Sequence, residues 1–125
     1  MGGILLSMMK AGIPFVAESN FTPTSAEVLL PLAEKHSYRA LTVLFDADIE
    51  VLHRRFCQRD VTDERHPGLA TKSGDFLDFC AFSDVALPCR DFCIGDKIVV
   101  DITGFALVDY TQVDTRILDF VGGKV

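Results

Sequence analysis

Four of the chain's twelve lysine and arginine residues are arginines gathered in the segment IEVLHRRFCQRDVTDERHPG, residues 49–68. Arg55 and Arg59 are four positions apart, so on a helix they share one face. Arg65 follows in a polar stretch that is rich in turn-forming residues. A guanidinium group is planar and donates two parallel hydrogen bonds, which suits phosphate oxygens. The spacing therefore indicates an anion clamp formed by Arg55, Arg59 and Arg65.

The same arginines also fit a structural interpretation without a ligand. Acidic residues lie close to them in the sequence and can pair with them on a solvated helix face: Glu50, Asp60, Asp63 and Glu64. Both interpretations satisfy the spacing of the arginines.

The composition limits the classes of protein to consider. The chain has 125 residues and a net charge of -6, which fits one domain over residues 1–125 and argues against nucleic-acid and anionic-membrane partners. No apolar run approaches the roughly 20 residues that span a bilayer, and residues 1–12 lack the features of a signal peptide. We therefore expect a cytoplasmic protein. The four cysteines form no C-x-x-C pair, so we expect reduced thiols and no metal site.

Hydrophobic periodicity predicts alternating helices and strands along the chain. Thr22 before Pro23, and Thr24 three positions before Glu27, are helix-start signals, and Pro31 is expected to kink or divide that helix. The predicted elements are helices over residues 4–10, 22–37, 48–59, 75–87 and 111–121, strands over 14–21, 40–48 and 98–104, and a lid-like loop over 60–74.

This alternation predicts an α/β fold, in which a parallel sheet is flanked by helices. Ligands of such folds bind outside the carboxyl ends of the strands. Polar side chains follow each predicted strand at that position: Glu18, Ser19 and Asn20 after the first, Asp46 and Asp48 at the end of the second, and Asp101 and Thr103 at the end of the third. We therefore expect the site at this edge.

The stretches FVAESNF, LTVLFDADIEVLHRRFCQRD, ERHPG and IVVDITG, in this order, resemble the latter part of a P-loop kinase. The resemblance is to small-molecule kinases of the zeta-toxin-like kind, near the chloramphenicol phosphotransferase-like kinases and the group described as AAA-type ATP-binding proteins. It covers about residues 12–103. It implies a P-loop kinase-like sheet, ATP and magnesium as cofactors, and phosphoryl transfer to a small hydroxyl compound.

The resemblance also implies roles for individual residues. Arg55 and Arg59 would be lid arginines near the nucleotide and the transferred phosphate, with Arg65 as a further lid arginine. Glu18 would lie beside the substrate as a base or a magnesium-side carboxylate, next to Asn20 as a substrate contact.

Nucleotide binding would involve Asp101 and Thr103 near the adenine edge, together with Arg59, although the first two residues also fit a plain strand end. The resemblance implies no metal ligand set within this chain beyond the carboxylate beside the substrate.

The sequence departs from the kinases in one respect. No glycine begins the motif G-x-x-x-x-G-K-[ST], whose backbone amides cradle phosphates and whose lysine and hydroxyl hold phosphate and magnesium. We therefore expect the fold to lack its first, central strand and phosphate loop, and ATP binding and phosphoryl transfer to be weak in this chain alone. The strands at 14–21 and 40–48 would then flank a gap, which a homodimer or a partner strand would fill.

Three functions follow from these expectations. The first is a fragment or degenerate relative of a P-loop kinase, inactive alone. The second is a non-catalytic module for binding an anion or phosphorylated metabolite, or for assembly. The third is a split enzyme that another chain with the phosphate loop completes.

Overall fold

The computed structural model of the chain describes residues 2–60 and 78–123. The described part has a mixed α/β fold with five α-helices, a two-stranded parallel sheet and two short 3₁₀ turns at Leu87–Asp91 and Phe105–Leu107. Its helices and strands are, in chain order, α1 (Gly2–Ala11), α2 (Pro23–Lys35), β1 (Leu41–Asp46), α3 (Ile49–Asp60), α4 (Phe79–Ala86), β2 (Asp96–Asp101) and α5 (Tyr110–Val121). None of these helices is long and apolar enough to cross a membrane.

The two strands pair in parallel, which confirms the predicted direction of the sheet. The register runs from Leu41 opposite Asp96 to Asp46 opposite Asp101, so both strands end at the same edge. The Thr42 hydroxyl bridges to the residues before β2, at 2.9 Å from both the backbone nitrogen and the carbonyl oxygen of Ile94. This bridge fixes the amino ends of the strands beside each other.

The strand predicted over residues 14–21 is wrong. These residues form neither a helix nor a strand, and Val16 is 98% exposed. Phe15 packs against Tyr38 with ring centroids 5.8 Å apart, and Phe21 stacks on Phe92 at 4.7 Å. A strand is stable only when a neighbour pairs with its backbone groups, and no described residue pairs with this segment. Its aromatic side chains are therefore half-buried against other rings, without a sheet.

The end of α1 is held against the residues that lead into β1. Gly12 adopts a φ of +70°, and the backbone N–H groups of Gly12 and Ile13 donate to the carbonyls of Met9 and Met8. A glycine in this left-handed conformation is a common end of a helix. The Tyr38 hydroxyl lies 3.1 Å from the Met8 carbonyl oxygen and 2.8 Å from that of Ile13, and it ties the helix end to the chain before β1.

The start of α2 differs in detail from the prediction. Thr22 is the residue before the helix, and its side chain and that of Ser25 form the reciprocal capping box. The capping box predicted between Thr24 and Glu27 is therefore wrong. The helix also runs through Pro31 without dividing.

A small set of apolar residues forms the core of the described part. On β2, buried Ile98 and Val100 flank Val99, which is 59% exposed, so one face of this strand packs inward and the other stays open. The buried residues are Leu5, Met9, Ala33, Ala47, Phe92, Ile94, Ile98 and Val100.

Candidate functional site at the carboxyl ends of the strands

Two aspartates lie side by side where β1 and β2 end. Asp46 and Asp101 are opposite each other in the register. The Asp46 carbonyl accepts a hydrogen bond of 2.7 Å from the backbone of Ile102, which extends the pairing by one residue. The Asp46 carboxylate accepts from the backbone nitrogen of Ala47 at 2.9 Å. The ends of β1 and β2, which carry the carboxylates of Asp46 and Asp101, are called the platform of the candidate site.

Arg90 reaches this platform from the 3₁₀ turn at Leu87–Asp91. Its Nε donates to Asp46 Oδ1 at 3.0 Å, and its Nη2 donates to the Ala47 carbonyl at 2.7 Å. A guanidinium has five N–H groups, and Nη1 has no hydrogen-bond partner among residues 2–60 and 78–123. Arg90 lines an open depression of about 370 Å³ with Asp48, Ile49 and Glu50.

Asp101 and Thr103 form a tight turn after β2. The Thr103 backbone N–H donates to Asp101 Oδ1 at 2.9 Å. This bond, followed by the hydrogen bond from the Thr103 hydroxyl, lowers the pKa of Asp101 below its ordinary value. The Thr103 hydroxyl oxygen also accepts from the backbone nitrogen of Asp48 at 3.1 Å. The turn therefore connects the exits of both strands and keeps Asp101 ionised.

Arg55 lies at the tip of β2, where it holds the main chain. Its two terminal nitrogens donate to the carbonyls of Ile102 and Thr103, each at 2.7 Å, and its guanidinium lies 4.2 Å from the centre of the Phe105 ring. The Arg59 guanidinium lies 5.4 Å from the ring centre of Phe56 in the last turn of α3. Arg55 thus supports the strand exit, and its predicted role as a lid arginine stays a prediction.

The other predicted site residues lie apart from this platform or outside the described residues. Glu18 and Asn20 are exposed between α1 and α2, and within the described ranges no hydrogen bond or ion pair joins them to the strand ends. Arg65 and the lid-like loop, apart from Asp60, lie outside the described residues. The structure brings together Arg55, Asp101 and Thr103, and their functional roles remain predictions.

Arg90 is the site residue that the sequence analysis did not identify. It lies 44 positions from Asp46 in the sequence and belongs to a short turn. No motif or helical spacing marks it. Asp46 was expected at the edge of the sheet, but without a role. Of these two positions, only Asp46 has a local sequence signal, because it is an aspartate at the end of an apolar strand.

A scan against protein-family models, a search of the curated proteins and a search of the solved structures found no match for this chain. The kinase resemblance of the sequence therefore stays a prediction. Among the described residues, no group of three or more His, Cys, Asp or Glu side chains is placed to hold a metal ion.

Proposed function

We propose that the chain is a P-loop-kinase-like protein that binds a magnesium-bound phosphate group at the carboxyl edge of its sheet. The observation that supports this best is the lining of the depression, where the Arg90 guanidinium lies with Asp48 and Glu50. Parallel strands that end in neighbouring aspartates, together with the order of the sequence motifs, support the kinase-like part of the proposal.

Mixed charge at one depression favours a ligand that carries both signs. Two acidic side chains disfavour a bare phosphate, and the arginine disfavours a bare cation. A phosphate with a bound magnesium ion satisfies both, because Mg²⁺ in proteins commonly takes one or two carboxylates and completes its shell with phosphate oxygens and water. The remaining N–H groups of Arg90 would donate to the phosphate, while Asp48 and Glu50 would face the cation.

The residues fit this phosphate group better than they fit the whole of ATP. No described group of side chains holds a metal ion without the ligand's own oxygens, and the 125 residues contain no glycine-rich phosphate loop. The triphosphate would therefore have no backbone cradle. We propose that phosphoryl transfer from ATP to a small hydroxyl compound is the activity of the kinase-like ancestor, and that this chain alone binds without turnover.

Titration calorimetry with magnesium pyrophosphate and magnesium ATP tests the proposal. Arg90→Gln removes a charge-assisted donor worth about 1.5–3 kcal/mol, so affinity should fall about tenfold or more. Asp48→Asn should reduce the dependence of binding on magnesium. Arg116→Gln removes an exposed arginine from α5 and is the matched control, with affinity unchanged.

Two further measurements make the result unambiguous. Thermal unfolding of each variant shows whether Arg90→Gln, which also loses its bonds to Asp46 and Ala47, remains folded. Asp48→Asn tests the site without touching those bonds, since within the described residues only the backbone of Asp48 is hydrogen bonded. Binding that persists in EDTA, or equal affinities for the wild type and both site variants, would contradict the proposal.

A second candidate, a non-catalytic assembly module, is favoured by the open outer edges of the two strands. It predicts self-association without any phosphate ligand, and the two functions are compatible in one chain.

A further inference from the structure

The outer edge of β2 carries backbone groups that have no hydrogen-bond partner among residues 2–60 and 78–123. The backbone N–H of Ile102 donates inward to Asp46. In a β-strand the N–H and C=O of one residue point to the same edge, and successive residues point to opposite edges. Every second residue before Ile102 therefore points inward, toward β1, and the residues between them point outward, away from β1. No hydrogen bond in the described part of the chain reaches these outward backbone groups. The outward residues, which define the outer edge of β2, are Lys97, Val99 and Asp101.

The side chains of this edge place opposite charges at equal distances along the strand on either side of Val99. Val99 is 59% exposed, although parallel strands are usually covered on both faces. Lys97 and Asp101 lie two positions before and after it, so all three side chains are on one face of the sheet. Within the subunit, the half-buried Lys97 ammonium donates to the Arg90 carbonyl oxygen and Asp101 Oδ1 accepts from the Thr103 backbone. The edge still carries a positive charge at one end, a negative charge at the other and an exposed apolar residue between them.

We propose that β2 pairs with β2 of a second copy of this chain, antiparallel and centred on Val99. A two-fold axis then passes between Val99 and the partner's Val99. Lys97 faces the partner's Asp101, and Asp101 faces the partner's Lys97. The two sheets join into one of four strands, in the order β1, β2, the partner's β2 and the partner's β1.

The backbone and the charges select the same register. The residues that face each other are all outward residues, so each pair exchanges two backbone hydrogen bonds. Opposite charges directly across an antiparallel pair stabilise it, and like charges destabilise it. Shifting one strand by two residues places Val99 opposite Lys97 or Asp101 and loses both ion pairs. The register centred on Val99 therefore pairs the backbone hydrogen-bonding groups and also places opposite charges across from each other.

A groove of about 350 Å³ borders part of β2. It is lined by residues 98–101 together with Leu107, Val113 and Arg116. Leu107 is 88% exposed, so it can cover the apolar centre of the new pair. The outer edge of β1 offers no comparable charge pattern, because its outward residues are Leu41, Val43 and Phe45. The second copy is therefore expected at β2.

Sedimentation equilibrium over a range of protein concentrations tests this pairing by charge exchange. Lys97→Asp and Asp101→Lys each place like charges opposite one another, so each should weaken dimerisation about tenfold or more. Mixing these two variants pairs Asp with Lys at both positions and should yield a heterodimer. The double variant K97D/D101K should restore the homodimer. Phe45→Lys, on the outer edge of β1, is the control and should leave dimerisation unchanged.

The restoration arms separate charge pairing from misfolding, since Asp101→Lys also removes the bond to Thr103 and Lys97→Asp also removes the bond to the Arg90 carbonyl. Three results would overturn the proposal. They are a wild type that stays monomeric at concentrations up to about 1 mM, where even a Kd of about 1 mM would give detectable dimer; single variants that dimerise like the wild type; and dissociation by Phe45→Lys but not by Lys97→Asp. The measurement needs no phosphate ligand, so it is independent of the proposed ligand site.

Discussion

Asp101 stabilises the fold through its ionised form. The Thr103 backbone N–H, and then the Thr103 hydroxyl, lower its pKa in the folded protein. A carboxylate whose folded pKa is below its unfolded value stabilises the protein above the unfolded pKa of about 4, and this contribution is lost as the pH falls through the folded value. In the Asp101→Asn variant the side chain at this position cannot ionise. The unfolding free energy of the variant should therefore fall less than that of the wild type between about pH 5 and pH 2. Urea unfolding at stepped pH measures the difference.

Thr103→Ala is the matched control for this prediction. It keeps the backbone donor and removes the hydroxyl, so the pKa of Asp101 should rise only part of the way to its ordinary value. Carboxyl-carbon NMR titration of Asp101 gives that pKa directly. An Asp101→Asn protein as sensitive to acid as the wild type would show that the ionised carboxylate contributes nothing to stability.

The arginines show how much of the candidate site can be predicted from the sequence. Hydrophobic periodicity predicts a helix over residues 48–59, on which Arg55 and Arg59 share one face, and α3 confirms that helix. The partners of Arg55 are carbonyls 47 and 48 positions away, and Arg90 meets Asp46 across 44 positions. Local patterns predict which side chains share a helix face. They do not predict what that face meets, because the path of the chain between β1 and β2 decides it.

At the scale of elements, the cap of α2 gives a direct stability prediction. Thr22 forms the capping box with Ser25, whereas Thr24 is exposed within the first turn. Thr22→Ala leaves the backbone N–H of Ser25 without its side-chain acceptor and should cost about 1 kcal/mol. Thr24→Ala is the same chemical change two positions later and should cost at most a few tenths of a kcal/mol. Urea unfolding compares the two, and equal costs would contradict the assignment of the box to Thr22.

Helices and strands differ in how far local sequence determines them. A helix satisfies its hydrogen bonds within one segment, so α1, α2, α3 and α5 were predicted to within a few residues. A strand depends on a neighbour, so the apolar pattern at residues 14–21 was not sufficient. Residues 40–48 and 98–104 have the same kind of pattern, and each contains a strand because the other supplies the partner.

At the scale of the whole molecule, the two proposals use different surfaces: the depression near Arg90, and the outer edge of β2 that includes Asp101. In an antiparallel dimer the carboxyl edges of the two subunits point in opposite directions, so each depression near Arg90 stays open on its own side. The carboxylate of Asp101 attracts the partner's Lys97 only while the carboxylate is ionised. Its lowered pKa therefore favours the ion pair down to more acidic pH than an ordinary aspartate would allow.

The position where β2 begins sets the alignment of the whole sheet. Gly95 adopts a φ of +69°, and a Cβ atom there would lie 2.1 Å from the carbonyl oxygen of Ala40, directly before β1. Gly95→Ala therefore combines the cost of a left-handed conformation, about 1–2 kcal/mol, with a clash between the chains that enter the two strands. We expect a loss of more than about 2 kcal/mol in unfolding free energy. Gly12→Ala has nearly the same φ, +70°, but meets nothing within 4 Å, so it should cost only about 1 kcal/mol. Urea unfolding of both variants measures the difference, and equal losses would show that the close approach to Ala40 does not constrain the sheet.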